Sequence, residues 1–439
     1  MPLRDLTVTL LIFASLPFCF KRPWVGILVW SWIGFMNPHR LGWGFAYSMP
    51  FAQMVAIATL LGIVSGREKV SLPRSREITL LVFMWAYFVF TTVFAHHQLE
   101  AWDQLIKVTK IFTLTFLTLL LLQDRIRLRL LLCVIAFSIG FFGLKGGVWA
   151  IMTGGGNMVL GPPGTFISGN TEIGLALNMV LPFFVYLIKD EKIPQLRWLW
   201  RAMFAFSIIA ILITYSRGAL LGLGVVLAML FLKSRIKFVA LFVMALTVPV
   251  LLSTLPEKWF GRMETIQTYE QDRSAVNRLK AWKVSYKMAL DRPITGYGFR
   301  PFSREIYLRY DPEYGPRSGD AHSIFFQVLA EHGFVGLGLY CSLILSVLLT
   351  LRRVRRFARG RQDLLWANNY AQMLQASVLA YLANGAFLSM SYFDLFYALV
   401  AITVLLEKLV YVRLPEDQPL PAAIGHPTPA LRPGRLASP

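Results

Sequence analysis

Charge is what this chain has least of. Asp, Glu, Lys and Arg make up 15% of its 439 residues, against 56% hydrophobic, where an ordinary soluble domain carries roughly a quarter charged residues. That shortage excludes a soluble globular protein of this length. Cysteine is nearly missing as well. Cys19, Cys133 and Cys341 are scattered, odd in number and set in apolar runs. This excludes a disulfide framework or cysteine metal site and leaves small buried hydrophobes. No His/Cys/Asp/Glu group has metal-ligand spacing, and no Asp-x-Asp pair occurs. Gly161-Pro162-Pro163-Gly164-Thr165 begins like a phosphate loop, but no Gly-Lys-Ser/Thr follows, so nucleotide binding falls away. Short alternating strands are missing, which excludes a β-barrel. Internal repeats and the inverted halves of many transporters are missing too.

What the chain does have is a succession of long apolar runs, clearest over 78–95, 107–122, 128–151 and 323–351. A hydrocarbon core of about 30 Å demands roughly 20 apolar residues per helical crossing, with every backbone group satisfied inside the segment. The fold class is therefore an all-α polytopic membrane protein. Spans are expected near 5–20, 24–36, 50–64, 78–95, 104–122, 128–151, 172–188, 197–214, 218–232, 236–254, 322–351, 365–388 and 392–412. The first two are short for a bilayer and read as a tight hairpin or as one span with one partial span, which gives about twelve crossings. The 6–20 stretch is retained, because further spans follow at once.

Basic residues outnumber acidic ones by 44 to 24, and their placement argues for topology, with no need of nucleic acid as a partner. Connectors 65–77, 123–129, 189–201, 233–237 and 352–363 hold twenty Lys/Arg, whereas 37–49, 96–103, 153–171, 215–218 and 389–392 hold only Arg40 and Arg217. By the positive-inside rule the first set is cytoplasmic. The second set and the long 255–321 loop then lie outside. The chain divides into N-terminal helices (1–254), this loop (255–321), C-terminal helices (322–412) and a Pro/Ala-rich tail (413–439) expected to be disordered.

The loop concentrates the polar chemistry, with twelve Lys/Arg against nine Asp/Glu. Residues 276–290 read as an amphipathic helix, with Val276, Leu279, Trp282, Tyr286 and Leu290 on one face and Lys280, Lys283 and Lys287 opposite. Such a helix suits the outer membrane interface, its lysines toward headgroups. Gly296-Tyr297-Gly298-Phe299-Arg300 follows as a turn where backbone can approach a ligand. Arg217 breaks the local charge pattern, and an arginine fixed at a helix junction can grip phosphate bidentately. Arg278 shares a helix face with Trp282 and is a second such candidate; Arg300 is a third. Arg262, Arg273, Arg304, Arg309 and Arg317 read as surface charges. His322 opens a helix straight from the charged loop, and a neutral imidazole there can take a proton from a hydroxyl. His39, His96, His97 and His426 sit in plain loops or the tail. Glu331, with His332 beside it inside a span, suggests a structural or partner role, because a membrane-embedded carboxyl is costly.

Four stretches carry a resemblance: Asn277-Arg278-Leu279-Lys280-Ala281-Trp282, Pro293-Ile294-Thr295-Gly296-Tyr297-Gly298, Ala321-His322-Ser323 and Glu331-His332-Gly333-Phe334-Val335-Gly336. In this order they resemble the shared region of O-antigen ligases and Wzy-type polymerases. Phe35-Met36-Asn37-Pro38-His39-Arg40 looks like the O-glycosylation ligase branch associated with exosortase systems. The resemblance implies a GT-C-like, inverting, metal-independent glycosyltransferase without cofactor, multi-pass in the bacterial inner membrane, with its site facing the periplasm. It would move a glycan from undecaprenyl pyrophosphate to lipid A–core in lipopolysaccharide biosynthesis. His322 takes the catalytic position, Arg217 and Arg278 (or Arg300) hold pyrophosphate, and Trp282, Glu331 and Tyr297 support them. His322 is followed by Ser where Asn is common. A polymerase or protein O-oligosaccharyltransferase would use the same parts. A flippase or transporter would want more ionisable residues in its spans than Lys110, Lys145, Glu172 and Glu331.

Overall fold

The computed structural model describes residues 3–68, 70–233, 256–264, 273–312 and 319–411, with no strand among them. Outside the described residues lie the expected span 236–254, the tail 413–439, Arg317 and the side chains of Arg262 and Arg273. The helices are α1 (Leu3–Lys21), α2 (Pro23–Met36), α3 (Phe51–Val64), α4 (Arg76–Val93), α5 (Gln98–Leu121), α6 (Arg125–Met152), α7 (Asn170–Asp190) and α8 (Pro194–Leu212). They continue with α9 (Arg217–Lys233), α10 (Glu257–Glu264), α11 (Arg273–Asp291), α12 (Arg304–Tyr310), α13 (Ile324–Ala358), α14 (Leu365–Gly385) and α15 (Asp394–Tyr411).

Among the described residues, seven helices (α1, α4, α5, α6, α7, α8 and α13) are long and apolar enough to cross a membrane. The chain is a polytopic, all-helical membrane protein. The short pair at the N-terminus differs from the expected one: α1 reaches 19 residues, while α2 and α3 have 14 each and rise only about 21 Å.

Local signals set the helix starts. Ser75 accepts from Ile78 N–H at 3.2 Å and opens α4, and Asp124 accepts from Arg127 N–H at 2.9 Å and opens α6. Pro23 and Pro194 stand in the first turns of α2 and α8, where a missing N–H costs nothing. Small residues then decide which helices touch. Gly143 and Gly147 of α6 lie against Ser207 and Phe206 of α8 so closely that neither has room for a Cβ. The most apolar stretch of α7 is 78% buried, against 17% for α1, so α7 is the centre and α1 the lipid-facing rim. Asn178 of α7 donates to Ala219 O at 2.8 Å and Asn384 Oδ1 at 3.2 Å, tying α9 and α14 to it. Cys19 is buried as expected, but Cys341 lies on an exposed helix face, where lipid would cover it.

The connectors separate onto two ends. At the basic end Arg127 meets Glu68 at 2.7 Å, Arg129 meets Glu191 at 3.3 Å and Arg353 meets Glu407 at 3.0 Å. At the other end Asn170 donates to Thr214 O at 2.9 Å, and His96 N–H donates to Tyr297 O at 2.8 Å. The described part of the polar loop sits there.

Helix α11 has two apolar faces. Ala281, Val284 and Met288 are buried with Tyr297, Ile306, Tyr307 and Ala330, while Leu279, Tyr286 and Leu290 point outward with Ile294 and Phe334. The stripe legible in sequence is thus mostly the outward one. Lys287 does not face headgroups; its Nζ donates to Tyr310 O at 2.6 Å inside the loop.

Candidate active site

Helix α13 breaks two residues after Glu331. Gly333 has φ 65° and ψ −167°, and the chain beyond it continues as helix. The break frees carbonyls that a straight helix would have satisfied, and in lipid these need partners. The loop supplies them. Tyr297 N–H donates to Ala330 O at 3.0 Å, Gly298 N–H to Glu331 O at 2.8 Å, and Phe334 N–H in turn to Pro293 O at 2.9 Å. Tyr87 OH donates to His332 O at 3.4 Å and to Ile294 O. A Cβ on Gly333 would collide with Pro293 O, and one on Gly296 with Glu331 O. The Gly296–Arg300 turn is therefore locked into the kink.

That lock places Arg300. Its backbone is left-handed (φ 52°), its N–H donates to Glu331 Oε1 at 3.2 Å, and its side chain is exposed toward a cavity of about 600 Å³. Glu331 Oε2 accepts from Tyr392 OH. With that proton committed, the Tyr392 oxygen accepts from His332 Nε2–H at 2.9 Å, and Thr91 Oγ1 donates to His332 Nδ1 at 2.7 Å. The buried His332 ring stacks on Phe88 at 4.2 Å between centroids, with Phe299 edge-on at 4.6 Å. Glu331 and His332 are thus fully engaged by their neighbours and position what surrounds them. Tyr297 points elsewhere: its hydroxyl donates to Asp291 Oδ2, beside Tyr310. These two hydroxyls hold the Asp291 carboxyl below the usual carboxylate range.

His322 precedes α13 with φ 49°, a left-handed backbone rare for a residue with a side chain. Tyr215, two residues before Arg217, and Arg300 share this conformation. Such outliers persist only where surrounding structure over-determines them, and they gather at functional sites. The 386–393 turn between α14 and α15 does the determining. Ser389 Oγ accepts from His322 N–H at 2.7 Å, and Ser391 Oγ donates to Ile324 O at 2.8 Å. Gln327 Oε1 accepts from Ser391 N–H at 3.2 Å.

The same turn collects the arginine-bearing helices. Trp282 of α11 stacks on Phe326 at 5.1 Å with the planes 8° apart, and lies 6.1 Å from the Phe387 ring. Arg278 lies one helical turn before Trp282, half-buried, and its charge reaches His322. Burial first and Arg278 second push the imidazole below its ordinary value, while Asp320 opposes them. Arg217 is half-buried at the first position of α9. Ser216 Oγ accepts from Ala219 N–H at 3.2 Å to open that helix, and the following Gly218 lies against Phe387. His322 and Trp282 thus meet at this turn, Arg278 lies one helical turn from Trp282, and Arg217 precedes the Gly218 that faces Phe387. Arg300 and Glu331 line the adjoining cavity, and Tyr297 braces the loop.

Sequence reading passed over the turn itself, whose signal was two serines and a tyrosine in a connector without basic residues. His97, a plain loop residue by sequence, lines the cavity. Among the described residues no group of three or more His, Cys, Asp or Glu could hold a metal ion.

The kinked helical membrane bundle thus presents an imidazole and arginines at one end. Residues 202–341 match the O-antigen ligase family. All seven candidate residues fall inside this segment. Residues 3–191 match a family of unknown function (DUF5935), which covers Thr91 and His97; the 386–393 turn lies in neither. No curated protein matches the chain.

Proposed function

We propose that the protein is an inverting glycosyltransferase that moves a glycan from undecaprenyl pyrophosphate to the hydroxyl of a lipid A–core acceptor, as an O-antigen ligase does. The observation that carries this reading is His322, held left-handed by Ser389, with the Arg278 charge beside its ring. The acceptor hydroxyl gives its proton to the His322 imidazole as its oxygen bonds to the anomeric carbon. The carbon–oxygen bond to pyrophosphate breaks, and the leaving group takes the electron pair. Arg217 and Arg278 stabilise that growing charge, with Arg300 next in line from the cavity. One displacement inverts the anomeric centre. The reading places this end of the bundle in the periplasm, at the inner membrane.

The test is turnover by purified protein, with undecaprenyl-pyrophosphate glycan as donor and lipid A–core as acceptor, without any ion gradient. Transfer is expected and should survive chelation of divalent ions; no transfer sinks the reading. Arg217→Ala and Arg278→Ala should each lower the rate by about 10²–10³-fold, the usual effect of removing one stabiliser of developing charge.

The pH profile gives a second check. A base must be unprotonated, so kcat/KM falls on the acid side, and burial with Arg278 places that fall below the ordinary histidine value of 6.5. In Arg278→Ala the residual activity should lose its acid limb at higher pH than wild type, because a positive neighbour is gone. In Asp320→Asn the limb should move the other way. Limbs that stay fixed in both variants would show that another group titrates.

A further inference from the structure

The cavity beside the His322 turn is lined by groups of unlike chemistry. Glu100, Asp320 and Glu331 bring carboxyl groups, and Arg300 is the single guanidinium among the lining residues. Two residues of its wall carry a polar atom buried without a hydrogen-bond partner: Gln104, only 7% exposed, at Oε1, and His97 at Nε2. A buried acceptor left unmade costs about 1–3 kcal/mol, so an orphan in a cavity wall favours a ligand that can donate to it. Phe166 and Phe302 add apolar ring surface. Asp320 and Ser389 belong to the lining, and Ser389 accepts from the His322 backbone, so the space adjoins the proton acceptor. About 600 Å³ lies within the usual range for small-ligand sites, roughly 300–1,000 Å³.

We propose that this cavity seats the acceptor and selects an unphosphorylated sugar terminus, neutral or amine-bearing, over a phosphorylated one. Resting on the transfer reading above, the assignment names the acceptor's chemical class. Sugar hydroxyls donate to Gln104 Oε1 and to the exposed carboxyl groups of Glu100 and Asp320, while the ring C–H faces lie on Phe166 and Phe302. A phosphate monoester in the same place would sit against those two acids with only Arg300 to offset them. Pyrophosphate of the donor is left chiefly to Arg217 and Arg278, neither of which lines this cavity.

Binding tests this separately from transfer. Full-chain protein in detergent is titrated with maltotetraose and with its 6-phosphate, read by saturation-transfer NMR and tryptophan fluorescence. The neutral sugar is expected to bind at least about tenfold tighter than its phosphate ester. Gln104→Leu should weaken it about tenfold, the equivalent of one lost hydrogen bond, and Gln104→Asn should restore part of the loss. Glu100→Gln with Asp320→Asn changes only exposed side chains and should narrow the gap between the two sugars. Tighter binding of the phosphate ester, binding of neither sugar, or affinities unmoved in both the Gln104→Leu protein and the double variant would overturn the assignment. Sugar binding as expected without transfer to any acceptor would instead discard the transfer reading and leave the sugar site standing.

Discussion

His322→Ala should leave a folded, membrane-inserted protein whose glycan transfer is reduced by about 10²–10⁴-fold, the usual worth of a positioned general base. Stability should survive because the tie between His322 and the fold is its backbone N–H to Ser389, which alanine keeps. The left-handed backbone sharpens the test. Asparagine tolerates this conformation better than most residues, so His322→Asn is expected to match or exceed wild type in thermal stability while remaining inactive. Separation of the two readouts distinguishes a chemical role from a structural one. Thermal unfolding followed by tryptophan fluorescence gives stability, and product appearance on the acceptor gives activity. Product formed at the wild-type rate by either variant would remove His322 from the mechanism.

The second large effect is expected at Gly333. A side chain there meets a φ of 65° and the Pro293 carbonyl at once. Backbone strain alone costs of order 1–3 kcal/mol, and relief requires the 293–298 segment to leave the kink. Gly333→Val should therefore lower the unfolding midpoint markedly. It should also abolish activity, because Arg300 and Glu331 lose their alignment. Gly338, five residues on in the same helix, has nothing within 4 Å of an added Cβ. Gly338→Ala should be neutral or stabilising by about 0.5–1 kcal/mol. Equal midpoints for the two variants would mean that the kink is not held by the loop.

The bundle was largely legible in the chain. The expected segment at 128–151 is Arg125–Met152, that at 172–188 is Asn170–Asp190, and that at 365–388 is Leu365–Gly385. Lipid enforces this, since a run of apolar residues with satisfied backbone has one cheap conformation there. Charge asymmetry grouped the connectors, and the structure gathers them accordingly. The amphipathic stretch 276–290 is a helix, but its buried face of Ala281, Val284 and Met288 was hidden behind bulkier outward residues. Small residues packed against a neighbour leave no stripe that hydropathy can detect.

Sequence by itself determined the class of solvent each segment meets, the helices that follow from it, and which few residues bear titratable or cationic groups near the polar end. Tertiary structure decided the break at Gly333, the capture of the Gly296–Arg300 turn, the hold of Ser389 on His322 across 67 residues and the Thr91–His332 contact across 241. Hydropathy and helical periodicity are properties of neighbours along the chain, whereas these contacts join residues from separate helices. Only folding brings such groups within hydrogen-bond reach.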